Sequence, residues 1–261
     1  MIGALAGDII GSPFERRDRR IKTKDFPLFS AKSRLTDDSI LTIAVAESVL
    51  KSVDYGKIFQ RYAKRFPKAG YGSMFIEWSK SKSPEPYKSW GNGSAMRVSP
   101  IAWAFNNLET VLDEAKKSSV VTHDHPEAVT GAQATAAAVF FARKGIPKPV
   151  ILSRLERMFG YDLQFTLDEI RSSYEFTASC SGTVPPAIRC FLEGESFEDT
   201  VRNAVSLGGD SDTLASIAGS IADAYYGVPS DIIEETSRKV SKYPTLARIV
   251  INFLSKYYGK S

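Results

Sequence analysis

The chain has 261 residues, 43% of them hydrophobic, and a formal net charge of +4. This supports a sizeable core and argues against a membrane protein, since no apolar run approaches the roughly 20 residues that span a bilayer. The charge tolerates an anionic ligand without pointing to nucleic acid. Two cysteines, Cys180 and Cys190, and two histidines, His123 and His125, are too few for a disulfide scaffold or a three-histidine zinc site.

The N-terminal run Met1 to Gly7 is apolar, but it lacks a basic leader and Asp8 interrupts it. It reads as a first helix, with a cytoplasmic location as the default expectation. Gly11, Ser12 and Pro13 end that helix and leave Glu15 at its exit. Glu15 is either a solvated loop acid or a carboxylate placed to act as a base or to orient water. The run Arg16-Arg17-Asp18-Arg19-Arg20 follows, either a solvated loop or a grip on a modified macromolecule.

Thr36-Asp37-Asp38 opens the next helix, whose apolar face is Ile40, Leu41, Ala44, Val45 and Val49. Residues 79–94 are irregular, as are 15–35, and loops of that length often bind ligands. Gly91-Asn92-Gly93-Ser94 precedes a helix expected near Ala95-Met96-Arg97, as a capped turn or as a phosphate cradle. Trp90 beside it either stacks on a base or packs. Thr122-His123-Asp124-His125-Pro126 starts the alanine-rich helix 128–143, and His123 is either structural or a ligand contact. Ser179 to Thr183 leads into a helix expected to begin at the Pro185-Pro186 pair. Further helices are expected over 98–105, 111–121, 149–158, 186–192, 197–206, 232–240 and 246–257. Asp210-Ser211-Asp212-Thr213 opens a last distinctive helix, rich in Ala, Gly and Ser, that reads as central and buried. Strand patterns are scarce, no repeat or linker divides residues 1–261, and the expected class is all-α, in a single domain.

Asp and Thr are ordinary helix caps, yet two acidic triplets at two helix starts exceed what capping requires. If the fold joins them, four carboxylates converge. Each like-charged pair about 4 Å apart would cost on the order of 4 kcal/mol at an effective dielectric near 20. A pair of hard divalent ions on oxygen ligands relieves that repulsion, and metal-assisted hydrolysis follows.

The ordered set Gly7-Asp8, Pro13-Phe14-Glu15, Thr36-Asp37-Asp38, Gly91-Asn92-Gly93-Ser94-Ala95-Met96-Arg97, Thr122-His123 and Gly208-Gly209-Asp210-Ser211-Asp212-Thr213 resembles the ADP-ribosylglycohydrolase family. That family includes the dinitrogenase-reductase-activating glycohydrolase, and the likeness spans nearly the whole chain. It implies an orthogonal all-helical bundle with two divalent cations, Mg2+ or Mn2+. Thr36, Asp37, Asp38, Asp210, Asp212 and Thr213 are the implied ligands. Glu15, with Asp37 and Asp212, is implied in catalysis. Ser89, Trp90, Gly91, Asn92, Gly93 and His123 are implied in substrate binding. The implied activity is hydrolysis of the bond between ADP-ribose and an acceptor, a modified protein or a small conjugate, by a monomer or weak oligomer. Two departures stand out: Pro86-Tyr87-Lys88 lacks the extra glycines of some members, and Ser39 stands where threonine is frequent. The alternatives are a non-catalytic ADP-ribose-binding or structural relative and a metal-dependent nucleotide phosphohydrolase.

Overall fold

The computed structural model describes residues 1–258. Among them are fourteen α-helices: α1 Ile2–Gly11, α2 Asp37–Lys51, α3 Tyr55–Arg65, α4 Ser73–Lys80, α5 Ser99–Ala104, α6 Leu108–Val120, α7 Pro126–Arg143, α8 Lys148–Phe159, α9 Leu167–Arg171, α10 Cys180–Glu193, α11 Phe197–Ser206, α12 Ser211–Tyr226, α13 Ser230–Val240 and α14 Pro244–Tyr257. No strand occurs among the described residues; a single antiparallel bridge joins Gly91 to Ser179. The all-α expectation holds, and no helix is long and apolar enough to cross a membrane.

The centre of the bundle is α12, buried without interruption from Ser211 to Asp223. It lies antiparallel to α1, all ten residues of which are buried. Gly3, Gly7 and Gly11 recur every four residues and so share one face of α1. A Cβ on Gly3 would lie 2.3 Å from the Gly219 carbonyl oxygen, on Gly7 2.0 Å from that of Ala215, and on Gly11 2.4 Å from that of Ser211. The two backbones therefore touch along the whole length of α1, which brings its C-terminal end, with Asp8, against the start of α12.

Several boundaries depart from the sequence expectation. The helices α3 and α4 were not anticipated. Tyr55, Ile58, Phe59, Tyr62 and Ala63 give α3 a buried stripe at helical spacing. No α-helix begins near Ala95: Asn92–Ser94 is a short 3-10 turn and α5 starts at Ser99, with Pro100 in its first turn. The helix α10 starts at Cys180, six residues before Pro186, so both prolines sit in its second turn. Proline withdraws a backbone donor. The Gly182 carbonyl, four residues before Pro186, accepts a hydrogen bond from the Tyr174 hydroxyl at 2.8 Å instead.

Candidate active site

The starts of α2 and α12 meet. Thr213 Oγ1 on α12 donates to Asp38 Oδ2 on α2 at 3.3 Å. At the α2 start the capping is shared. Thr36 Oγ1 accepts from the Asp38 amide at 3.3 Å. Asp8, from α1, accepts from the amides of Thr36 at 2.9 Å and Ser39 at 3.1 Å and from Thr36 Oγ1 at 2.6 Å. A carboxylate from a neighbouring helix thus takes the amides that the first turn leaves open. Asp37 and Asp38 are left free of capping duty. At the α12 start the N-cap residue Asp210 does not cap its own helix. Its Oδ2 accepts from the Asn92 amide at 2.8 Å, and the Asn92 amide also donates to Thr183 Oγ1 at 3.1 Å.

Two groups of carboxylates result. Asp8, Asp38 and Asp212 each offer an oxygen within 4.8 Å of the others, and so do Glu15, Asp210 and Asp212. Asp212 belongs to both. No lysine or arginine is ion-paired to Asp8, Asp37, Asp38, Asp210 or Asp212 among the described residues, and Asp38 Oδ1 is buried without a hydrogen-bond partner. Burial first, then the neighbouring charges, raises these groups: Asp37 to about 7, Asp210 to about 6, and Asp38 and Asp212 well above the ordinary carboxyl value. Burial likewise raises Asp8. The set is hard, all-oxygen and self-repelling, and an orphaned oxygen faces it. Those are the donor properties that Mg2+ or Mn2+ requires.

Asp37, Asp38, Asp210 and Asp212 floor a cleft of about 320 Å³, which Asp8 does not line. Of the residues singled out in the sequence, Glu15, Asp37, Asp38, Ser89, Gly91, Asn92, Gly93, His123, Asp210, Asp212 and Thr213 line it. Thr36 does not; it is buried behind Asp8 and Asp38. Trp90 does not either: it is 51% exposed, and its backbone is tied to α10 by the Cys180 amide at 3.0 Å. The aromatic rings that do line the cleft are Phe75, Tyr87 and Phe176, the last with the Arg20 guanidinium 4.6 Å above its face. Glu15 is the partly exposed member of the acid set: its side chain is 39% exposed, with Arg34 Nη2 at 3.8 Å.

The wall opposite the acids is glycine-rich. A Cβ on Gly93 would lie 3.1 Å from His123 Nε2, and one on Gly91 3.5 Å from it. Behind the histidine sits Arg97, fully buried, which donates through Nη2 to Thr122 Oγ1 at 2.8 Å and to the Ser118 carbonyl at 2.7 Å. Thr122 Oγ1 is 2.7 Å from His123 Nδ1 and 3.4 Å from the Ser119 carbonyl. With Arg97 donating to that oxygen, the shorter distance assigns the hydroxyl hydrogen to Nδ1. Nε2 then carries the ring proton toward the cleft. Burial and the Arg97 charge hold His123 well below its usual range, so the ring is neutral. The Ser179 loop differs: Ser179 caps the Gly182 amide at 3.0 Å and Glu127 takes the Ser181 amide at 2.9 Å, leaving neither for an anion.

Asp8, Arg97, Tyr87 and Phe176 were not picked out as site residues from the sequence. Asp8 had a signal, since it is the one charge in an otherwise apolar helix; Phe176 had none, because it lies in a loop without periodicity.

A profile of the ADP-ribosylglycohydrolase family matches residues 1–260. ADP-ribosylhydrolase ARH3 of Mus musculus is 28% identical over 307 residues, covering 87% of this chain and 83% of its own. The ADP-ribosylarginine hydrolase Tri1 of Pseudomonas putida is 26% identical over 278 residues, covering 91% and 73%. A solved structure described as an ADP-ribosylglycohydrolase-related protein complex superposes with a TM-score of 0.69 at 24% identity, covering 97% of this chain and 95% of that one, and so shares the fold. The helical order, the joined starts of α2 and α12 and the family match agree: this chain belongs to the ADP-ribosylglycohydrolase family of enzymes.

Proposed function

We propose that the cleft hydrolyses the glycosidic bond between ADP-ribose and an acceptor, a protein side chain or a small conjugate. The observation that carries this reading is the pair of carboxylate groups sharing Asp212, on the floor of a cleft walled by Gly91, Asn92, Gly93 and His123. Thr36, Asp37, Asp38, Asp210, Asp212 and Thr213 would hold two divalent cations, Mg2+ or Mn2+. When bound, these would supply Lewis-acid charge to the sugar.

The chain's own residues do the rest. Gly91 and Gly93 leave the wall without side chains, so a diphosphate lies close to backbone and to the His123 Nε2 proton. Asn92 orients Asp210 through its amide. Glu15, partly exposed at the cleft edge, accepts a proton from water whose oxygen bonds to C1 of the ribose as the bond from C1 to the acceptor breaks, and the acceptor leaves with a proton taken from solvent. Positive charge develops on the sugar as the bond breaks, and the carboxylate floor stabilises it.

The test is an Asp212→Ala variant assayed on a purified ADP-ribosylated protein. Its release of ADP-ribose is expected to fall by at least about 100-fold, the scale of one lost transition-state charge contact. Full release by the variant would sink the reading. Release of AMP or phosphate by the wild type would turn it into a phosphohydrolase.

A further inference from the structure

A second cavity, of about 230 Å³, lies at the far end of α2. Glu47, Lys51, Arg61, Arg65, Thr245 and Arg248 line it. Glu47 lies nine residues beyond Asp38 on α2, about 14 Å farther along the helix. The electrostatics of the two cavities are opposite: here four cations surround one carboxylate.

That carboxylate is already engaged. Glu47 accepts from Lys51 Nζ at 2.6 Å, Arg61 Nη2 at 2.8 Å and the Tyr62 hydroxyl at 2.6 Å. Arg65 and Arg248 have no carboxylate partner among the described residues, and neither α3 nor α14 contains an acid. Arg65 is held in place by neutral chemistry, donating through Nη2 to Thr245 Oγ1 at 2.6 Å. This bond sets the guanidinium at the start of α14, which has no side-chain cap. The first amide there to find a helical acceptor is that of Ala247, bonded to the Tyr243 carbonyl at 3.0 Å. The amides of Thr245 and Leu246 make no hydrogen bond among the described residues, although Leu246 is fully buried. The first turn of a helix leaves its amides open, and that of Thr245, partly exposed where the residue lines the cavity, is one an anion can reach.

We propose that this cavity is a second anion site and that it takes a phosphoryl or pyrophosphoryl group. Guanidinium forks match the paired oxygens of phosphate, and an uncapped helix start adds amides and dipole to the same point. The volume is smaller than the ~300 Å³ at which pockets begin to enclose a whole drug-sized ligand. The phosphoryl end enters and the remainder of the ligand stays outside. The proposal goes beyond the hydrolase reading and stands or falls without it, because it uses none of the acidic residues.

Calorimetric titration of the full chain with inorganic pyrophosphate, in chelator and at constant ionic strength, tests it. In chelator the acidic cleft repels the probe. Saturable one-to-one binding is expected, weakened at least about tenfold in the double variant Arg65→Gln/Arg248→Gln. The double variant Lys57→Gln/Lys64→Gln removes the same charge from α3 outside the cavity and is expected to bind as the wild type does. Both pairs are exposed, and a melting curve of each confirms the fold. Absence of saturation, undiminished binding in the arginine variant, or equal loss in the lysine variant would overturn the site. A neutral peptide bearing phosphoserine is titrated in parallel. Binding of both probes marks a phosphoryl group read on a chain, and binding of pyrophosphate alone marks a free ion; either supports the site.

Discussion

The two ends of α12 solve one problem in opposite ways. Each end buries carboxylate. At the C-terminal end Asp223 is 5% exposed and meets donors on every side: the Met1 amino group at 2.9 Å, the Gly3 amide at 3.0 Å and the Tyr258 hydroxyl at 2.6 Å. At the N-terminal end Asp212 is as deeply buried, but its neighbours are Asp38, Asp210 and Asp8, and its one protein donor is the Thr213 amide at 3.1 Å. Burying a charge is tolerable only with compensation from partners. The chain supplies them at one end of the helix and withholds them at the other. An arrangement that raises its own energy in isolation is a site, and one that does not is scaffold.

The comparison breaks most visibly in stability. Asp223→Ala leaves the buried Met1 amino group, the Gly3 amide and the Tyr258 hydroxyl without their shared acceptor and is expected to cost about 3–5 kcal/mol. Asp212→Asn removes a buried carboxyl that sits among other carboxyls and is expected to raise the stability of the metal-free protein while abolishing activity. Urea denaturation of both variants in chelator reads the two signs directly. Equal destabilisation by both would mean that the ends do not differ.

The next prediction concerns the contact that carries Asp8 to the α12 start. Gly7→Ala places a methyl 2.0 Å from the Ala215 carbonyl oxygen, where only backbone can move. Prying the helices apart is expected to cost about 3 kcal/mol, the upper part of the usual overpacking range. It also shifts Asp8 from Thr36. A melting temperature within a degree of wild type would show that α1 and α12 do not need their close approach.

Asp8→Asn sharpens the distinction between holding a cation and holding its ligands. All of the aspartate's hydrogen bonds run to Thr36 and Ser39. The amide keeps the volume and loses one acceptor. A positioning role predicts an about 10–100-fold loss of Mn2+ affinity with the fold retained, the range typical of groups that orient metal ligands. Calorimetric Mn2+ titration of the two proteins checks it; unchanged affinity would remove Asp8 from the site.

Much of this was legible in the residues, and unevenly so. The acidic triplets lie at helix starts because an apolar 3.6-residue period begins directly after each, so α2 and α12 and the acids at their starts could be placed from the sequence. Their meeting could not. It depends on Gly3, Gly7 and Gly11, whose spacing becomes meaningful only against the small residues of α12. Proline misled at α10, where a tyrosine hydroxyl from outside the helix stands in for the lost backbone pairing. Trp90 and Phe176 show the same limit: two aromatic loop residues of similar exposure, of which only Phe176 lines the cleft. Gly91, Asn92 and Gly93, in the segment read as a capped turn or a phosphate cradle, line the cleft, yet Arg97, which acts through Thr122 on His123, is a cation whose burial no local pattern announces.

The smallest predicted effect is also the most specific to the acidic end. Asp37, near 7, and Asp38 and Asp212, well above the ordinary value, bind protons in the folded chain that they release in the unfolded one, where the reference is 3.8. Folding is therefore favoured at low pH, and that contribution is lost as pH rises from the unfolded reference to the folded value, by about 1.4 kcal/mol per pH unit for each group between the two. His123 works in the opposite sense, because its folded value lies below 6.5 and the unfolded chain takes the proton first. Its influence is confined to pH below that reference, so from 6.5 up to the Asp37 value of about 7 the slope belongs to the carboxyls. In chelator the melting temperature is expected to fall as pH rises through that value, on the scale of 2–4 °C per kcal/mol lost for a chain of this size. Mn2+ or Mg2+ added at pH 8 is expected to reverse the fall, because a cation needs the ionised form that protons displace. In the Asp223→Ala protein the slope should survive, since the groups responsible lie at the other end of α12. A flat profile in chelator would mean that the acids at the α2 and α12 starts do not repel one another as their burial requires.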